Sequence, residues 1–371
     1  MNLLEQYAFD MHMKNINTKY EDFAKEIMSL QSPDSFSILY ATDVHYIRKY
    51  VYYVPAYYKV KEMTEFSGYA GIDLLALTGD LVDGNTTLTR QYRDLYDLVS
   101  LVRNSKTTSV ALSKGNHDDC SWYAFQKGLG LDQCVSYKQW YNHVINPLRV
   151  QYPMTLDPEN PDGGYYYIDY PYHKIRVINL NTNDFDNITD ENGKILQEYC
   201  SQWCMGVREK QLNWLVNSLK FDEPGWSVMV MSHALPIDDG VNEDRVINGE
   251  LIWKILLAYM NGDKGNVSSN EKYFETYVDY DFTDNQSNDM LPYLYGHIHR
   301  DMVIVRDGIT AIASDCLLKS ATPDGNSANN VFDNPEAEIC GGWDCIVIDK
   351  KQRTLKKRRF NVPGADINIK Y

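Results

Sequence analysis

Histidine is scarce in this chain, with eight among 371 residues. Cysteine is scarce too. Cys120, Cys134, Cys200, Cys204, Cys316, Cys340 and Cys345 contain no CxxC pair, so no thiolate zinc site is expected, and an odd, scattered set reads as reduced thiols. No apolar stretch approaches the ~18 residues of a membrane span. The start, "MNLLEQYAFDMHMKNINTKYEDF", lacks a basic opening followed by an apolar segment. We therefore expect no signal peptide, no membrane partner and a cytoplasmic location. Positive charge is in deficit, with 36 Lys and Arg against 51 Asp and Glu and a net charge of −15. That argues against a general binder of nucleic acid or anionic membrane. The one local exception is "KKQRTLKKRR" at 350–359, read as a hairpin that exposes alternate cations. Internal repeats are absent as well, which removes solenoids and propellers.

What is present is an ordinary globular composition, 44% hydrophobic and 23% charged, in a chain long enough to bury a large core. Short apolar runs at 36–42, 74–79, 109–113, 174–181, 227–232 and 290–295 read as strands. Helical patterns lie around 55–70, 86–103, 136–149, 207–220 and 247–260, as where Leu212, Leu215, Val216 and Leu219 share one face. Alternation of this kind predicts an α/β core of helix-covered sheets. "MVIVRDGITAIAS" and "CIVIDKKQRTLKKRRF" instead read as antiparallel hairpins. Segments 262–289 and 319–342 show no pattern and read as long excursions. The first 32 residues read as a helical extension and 33–371 as a single domain.

Five of the eight histidines follow apolar runs directly: His45, His117, His233, His297 and His299. The strand ends read Asp43-Val44-His45, Gly79-Asp80-Leu81-Val82-Asp83, Gly115-Asn116-His117-Asp118, His233, and Gly296-His297-Ile298-His299. Sites in open α/β sheets form where strands give way to loops. Extended backbone would send residues i and i+2 to one side, joining Asp43 with His45 and His297 with His299. Oxygen and nitrogen donors without sulfur suit two divalent ions such as Mn, Fe, Zn or Ni, with Mn favoured, and suit calcium poorly. Asp80, on a middle strand, is the natural bridge. Two carboxylates and a bridging hydroxide leave such a pair positively charged, and the neutral Asn116 amide preserves that excess for a phosphate ester. His117 should diverge from Asn116 and act as general acid, its tautomer set by Asp118.

The ordered set DxH, GDxxD, GNHD, a lone His after a strand, and GHxH resembles the calcineurin-like metallophosphoesterases over roughly residues 36–300. The resemblance implies a four-layer αββα sandwich of two mixed sheets flanked by helices. It also implies that Asp43, His45, Asp80 and His299 hold one metal, that Asp80, Asn116, His233 and His297 hold the other, and that His117 is catalytic. Protein serine/threonine phosphatases of this family carry arginines where this chain has Gly84 and the Lys114 neighbourhood. Purple acid phosphatases place a tyrosine where it has Asp83, and the bacterial 5′-nucleotidases add a large C-terminal domain. The expectation is therefore a dinuclear metal-dependent phosphohydrolase that cleaves P–O bonds of a small phosphate ester with a metal-bridging hydroxide, as a phosphodiesterase. A nuclease, motivated by 350–359, and a metal-bound non-catalytic module, motivated by the acidic 262–289 excursion, are the alternatives. Asp83 is either support for the site or a turn residue, and oligomeric state is left open. His12, His143 and His173 read as surface or packing residues, and the six tyrosines within 45–60 as packing a loop.

Overall fold

A computed structural model describes residues 18–48, 54–241, 245–317, 342–360 and 365–371. The readings of His12, Cys340, Tyr50, Tyr52 and Tyr53, and of the 319–342 excursion up to residue 341, fall outside these described residues. So do those of residues 1–17.

Two large mixed sheets form the centre. One has six strands in the order Ile367–Lys370, Thr354–Arg359, Asp344–Asp349, Phe36–Ala41, Leu74–Leu77 and Ser109–Leu112. Its last three strands run parallel, and the first three join antiparallel. The second sheet runs Met302–Arg306, Ile309–Ala313, Tyr293–Tyr295, Ser227–Met231, Ile175–Asn179, Tyr166–Tyr170 and Thr155–Leu156. The short Asp289–Met290 also lies on Ser227–Met231. "FSILYA", "LLAL", "SVAL" and "SVMVM" are buried throughout, as parallel strands covered on both faces require.

Period-2 alternation divides the core into layers. Within Ser227–Met231, Met229 and Met231 join the apolar cluster that fills the space between the sheets, while Val228 and Val230 join the cluster on the far face. Helices Glu209–Ser218 and Gly249–Asn261 cover that far face through Leu212, Leu215, Ile252, Ile255 and Leu256. Helices Val54–Phe66 and Leu88–Val102 cover the first sheet through Val60, Met63, Leu95, Leu98 and Val102. Polar ties cross between the sheets, including Tyr40 Oη to Tyr295 O at 2.5 Å and the Tyr166 hydroxyl accepting from Leu112 N at 2.8 Å. The order helix, sheet, sheet, helix is the predicted sandwich.

Residues 18–30 form a helix whose Tyr20, Phe23, Ala24 and Ile27 enter the first core. Phe23 packs on Phe66, Trp343 and Phe360, with ring centroids 5.2–5.6 Å apart. Each such buried ring contributes about 1.5–3 kcal/mol of apolar burial.

Two expectations are corrected, and two strands join that the sequence reading did not include. The 262–289 segment carries an antiparallel hairpin, Lys264–Ser269 with Thr276–Asp281. Its Asp- and Asn-rich sequence hides the alternation because one face is solvated. Thr155–Leu156 and Tyr166–Tyr170 are strands that the tyrosine-rich "YYYIDY" obscured. Thr354–Arg359 turns alternate cations inward: Lys357 and Arg359 share the inner face with Leu355. Asp344 and Asp301 meet both of them. Lys351 pairs with Asp34, Arg353 with Asp289, and Arg358 with Glu26, so most of this basic stretch is already neutralised. Among the described residues no helix is long and apolar enough to cross a membrane. The six described cysteines are buried and form no disulfide among the described residues.

Candidate metal centre

The five strand ends open onto one place. Asp43 and His45 follow Phe36–Ala41, Asp80 follows Leu74–Leu77, and Asn116 and His117 follow Ser109–Leu112. His233, His297 and His299 come from two strands of the other sheet. Convergence does not use extended backbone, as the i, i+2 argument supposed. Asp43, His45, Asp80, His297 and His299 all sit in the left-handed region, with φ of 52°, 47°, 46°, 71° and 49°. Such conformations cost about 1–3 kcal/mol each for residues with a Cβ and persist only where neighbours hold them. The hold is visible. Asp43 N donates to Gly79 O at 3.2 Å and His45 N to Asp80 O at 2.8 Å. His297 N donates to Asp43 Oδ2 at 3.0 Å and His117 N to Asp80 Oδ1 at 2.9 Å.

The donors fall into two sets that share Asp80. In the first, one atom each of Asp43, His45, Asp80 and His299 lie within 4.8 Å of one another; in the second, those of Asp80, His233 and His297 do. His297 and His299 therefore part company, one to each set. The Asn116 amide oxygen joins the second set, 2.8 Å from His233 Nε2 and 3.1 Å from His297 Nδ1.

These residues fit two divalent cations. Asp43 Oδ1 is buried without a hydrogen-bond partner, with His299 Nε2 3.3 Å away. Ring nitrogens face each other in pairs, His45 with His299 at 3.1 Å and His233 with His297 at 3.2 Å. A hydrogen bond at such distances needs a proton on one nitrogen of each pair, and a divalent cation would take that proton's place. Thr78 O lies 2.8 Å from His233 Nδ1 and fixes Nε2 as the inward atom.

Electrostatics divides the imidazoles. Burial and the adjacent His117 hold His45 down at about 3. Burial pushes His233 the same way, but the Asp80 carboxylate outweighs it and raises the group to about 9. Burial would raise Asp80, yet His233 and His117 keep its carboxyl well below the usual range. The cavity thus strongly favours positive charge opposite its carboxylates.

His117 lies just outside both sets, with Nε2 3.9 Å from Asp80 Oδ2. Its Nδ1 is 2.6 Å from Asp83 O, so that nitrogen carries the proton and the tautomer is set by a main-chain carbonyl. Asp118 does not do this. It is turned inward, accepting from Val82 N at 3.1 Å and Gly115 N at 2.7 Å, and so braces the two loops together. Asp83 contributes through its backbone, a role that side-chain reasoning missed. His143 stacks on Tyr92, and His173 faces Asp73 at 3.3 Å; neither belongs to the two donor sets.

Two further residues had no motif to announce them. Cys316, after Ile309–Ala313, places Sγ 3.1 Å from Asp43 O and within 4.8 Å of donors on His45 and His299, so sulfur does border this nitrogen and oxygen site. Gln202 places Nε2 3.2 Å from His117 Nε2.

Gly296 shows why no larger residue precedes the paired histidines. A Cβ there would lie 1.7 Å from Thr42 Oγ1 and 2.8 Å from Asp43 Oδ2. Gly296→Ala is expected to displace Asp43 and weaken manganese binding by about 10–100-fold, the usual effect of disturbing a ligand's support. Calorimetric titration checks this, and an unchanged affinity would refute the crowding argument.

The chain matches the profile of the calcineurin-like phosphoesterases over residues 36–301. Its fold is similar to that of a dimetal phosphatase from Danio rerio, with a TM-score of 0.56, 16% identity, and 91% of this chain and 99% of that one covered. A purple acid phosphatase from yellow lupin seeds aligns with a TM-score of 0.45 and 12% identity, covering 92% of this chain and 54% of the other. No curated protein matches. With a family profile spanning most of its length, this chain belongs to the calcineurin-like phosphoesterase family.

Proposed function

We propose that this protein is a dinuclear metal-dependent phosphodiesterase. The carrying observation is the gathering of Asp43, His45, Asp80 and His299 on one side, and Asp80, Asn116, His233 and His297 on the other, around one shared carboxylate. These seven residues would hold two divalent ions, with manganese our first choice and iron, zinc and nickel the others. When bound, such ions acidify a water and neutralise charge building on the phosphoryl oxygens. Asp80 keeps the two sets in register. Asp43 and Asp80 supply the negative charge that retains cations, while the Asn116 amide leaves a positive excess for the substrate. His117, with Nδ1–H committed to Asp83 O, presents Nε2 to the leaving oxygen; as the imidazolium, with a second proton on Nε2, it gives that proton to the leaving oxygen and returns to the Nδ1–H tautomer.

A diester is favoured by what surrounds His117. Gly84 lies at φ +72°, and a Cβ there would be 2.1 Å from His117 O, so no arginine can stand at this position. A dianionic monoester gains more from such a cation than a monoanionic diester does. Manganese-loaded protein is expected to hydrolyse bis(p-nitrophenyl) phosphate faster than p-nitrophenyl phosphate. The reverse order would overturn the diester assignment, and no turnover with any divalent metal would overturn the enzymatic one.

The paired basic stretch weakens the nuclease reading. Oligonucleotides are expected not to bind at physiological salt. Tight binding that falls steeply with added salt would restore that reading. Solubility in the cytoplasm is the location we propose.

A further inference from the structure

Asp119, two residues past His117, is buried, and it ties the catalytic loop to a distant segment. Its Oδ2 accepts from Ser201 Oγ at 2.5 Å and from Asn187 Nδ2 at 3.0 Å, while Asn187 Oδ1 accepts from Ser201 N at 2.6 Å. One residue on, Gln202 O accepts from Asn116 Nδ2 at 3.1 Å. Clamped on both sides, Gln202 has little freedom, and its amide nitrogen meets His117 Nε2 at 3.2 Å. Its amide oxygen is buried and has no hydrogen-bond partner. A buried acceptor without a donor is costly and uncommon in folded proteins.

The same place has an apolar wall. Trp122, half-buried, sets its ring edge-on to His117 with centroids 5.8 Å apart. An amide with an unmatched acceptor beside an indole suits a group that offers C–H surface and a hydroxyl together.

We propose that Gln202 and Trp122 form a subsite for the leaving alcohol, and that this alcohol is a polyol or sugar. Once His117 has given its Nε2 proton to the leaving oxygen and accepts from the Gln202 amide, a hydroxyl near the ester carbon donates to Gln202 Oε1, and the carbon skeleton lies against Trp122. The inference rests on the reading above that His117 Nε2 faces the leaving oxygen, because that places the Gln202 amide beside the alcohol rather than the phosphoryl group.

The test is binding rather than turnover, which separates it from the test of hydrolysis. Calorimetry on manganese-loaded protein compares glycerol 3-phosphate with n-propyl phosphate, which differ only in their hydroxyls. Wild type is expected to bind glycerol 3-phosphate about tenfold more tightly, the scale of one well-placed buried hydrogen bond. Gln202→Met is expected to bind both equally while keeping the wild-type affinity for n-propyl phosphate, which shows that fold and metal centre survive. Equal affinities in wild type, a preference retained in Gln202→Met, or no binding of either compound would overturn the subsite. Of these, equal affinities alongside normal hydrolysis of bis(p-nitrophenyl) phosphate would leave the phosphodiesterase reading standing.

Discussion

His117→Ala is expected to lower kcat for bis(p-nitrophenyl) phosphate by about 10²–10⁴-fold, the range for loss of a positioned general acid. Manganese content should stay at the wild-type value, because His117 belongs to neither shared set of donors and its main-chain N–H still reaches Asp80 Oδ1 at 2.9 Å. The two readouts together discriminate. A fall in both kcat and bound metal would make His117 structural to the centre. An unchanged kcat would remove it from the reaction. Nitrophenolate is a good leaving group and needs little protonation, so an alkyl diester should show the larger loss.

Asp344→Ala is expected to destabilise the fold by about 3–5 kcal/mol, the scale of an uncompensated buried charge. Lys357 and Asp344 have fully buried side chains. Lys357 Nζ lies 2.5 Å from Asp301 Oδ1 and 3.2 Å from Asp344 Oδ2. The Arg359 guanidinium reaches Asp344 at 2.8 and 2.9 Å, and Asp301 at 2.7 Å through two nitrogens. Two cations thus share two carboxylates on the inner face of a strand. Removing Asp344 leaves an unbalanced cation beside the central strand Phe36–Ala41, its antiparallel partner. Urea denaturation measures the loss, and a midpoint within error of wild type would refute the charge balance.

The same cluster predicts an acid limb. Burial would raise the Asp301 carboxyl, but the Arg359 hydrogen bonds and the charges of Lys357 and Arg359 bring it below its ordinary value. A carboxyl whose folded pKa is depressed stabilises fully above its unfolded value of about 3.9, and that stabilisation disappears as pH falls towards the folded value. Asp301→Asn should therefore flatten the dependence of stability on pH below about pH 4. An acid limb as steep as that of wild type would assign it to other groups.

Why some of this was legible beforehand follows from range. Strands such as "SVMVM" and "LLAL" declare themselves because burial on both faces demands an unbroken apolar run. The site residues declare themselves because each sits one to five positions past such a run. "TLKKRR" was misread for the converse reason. Alternation says that Leu355, Lys357 and Arg359 share a face, but which face is inside depends on Asp301 and Asp344, many residues away in the chain. The Asp118 reading failed similarly. Adjacency in sequence suggested a bond to His117, whereas the turn rotates its carboxylate under Gly115 and Val82.

By itself the sequence determined that donors of nitrogen and oxygen end several buried strands, because hydrophobic periodicity and residue type are local properties. It also determined the α/β class, while the two-sheet sandwich was expected only from the resemblance that the motifs carry. Only the tertiary structure decided that five of these residues adopt left-handed backbone, that Asp83 acts through its carbonyl, and that Gln202 and Cys316 border the centre. Each of those depends on contacts between segments that no pattern in the chain joins. Hydrogen bonds from remote loops hold the costly conformations that local preference would reject.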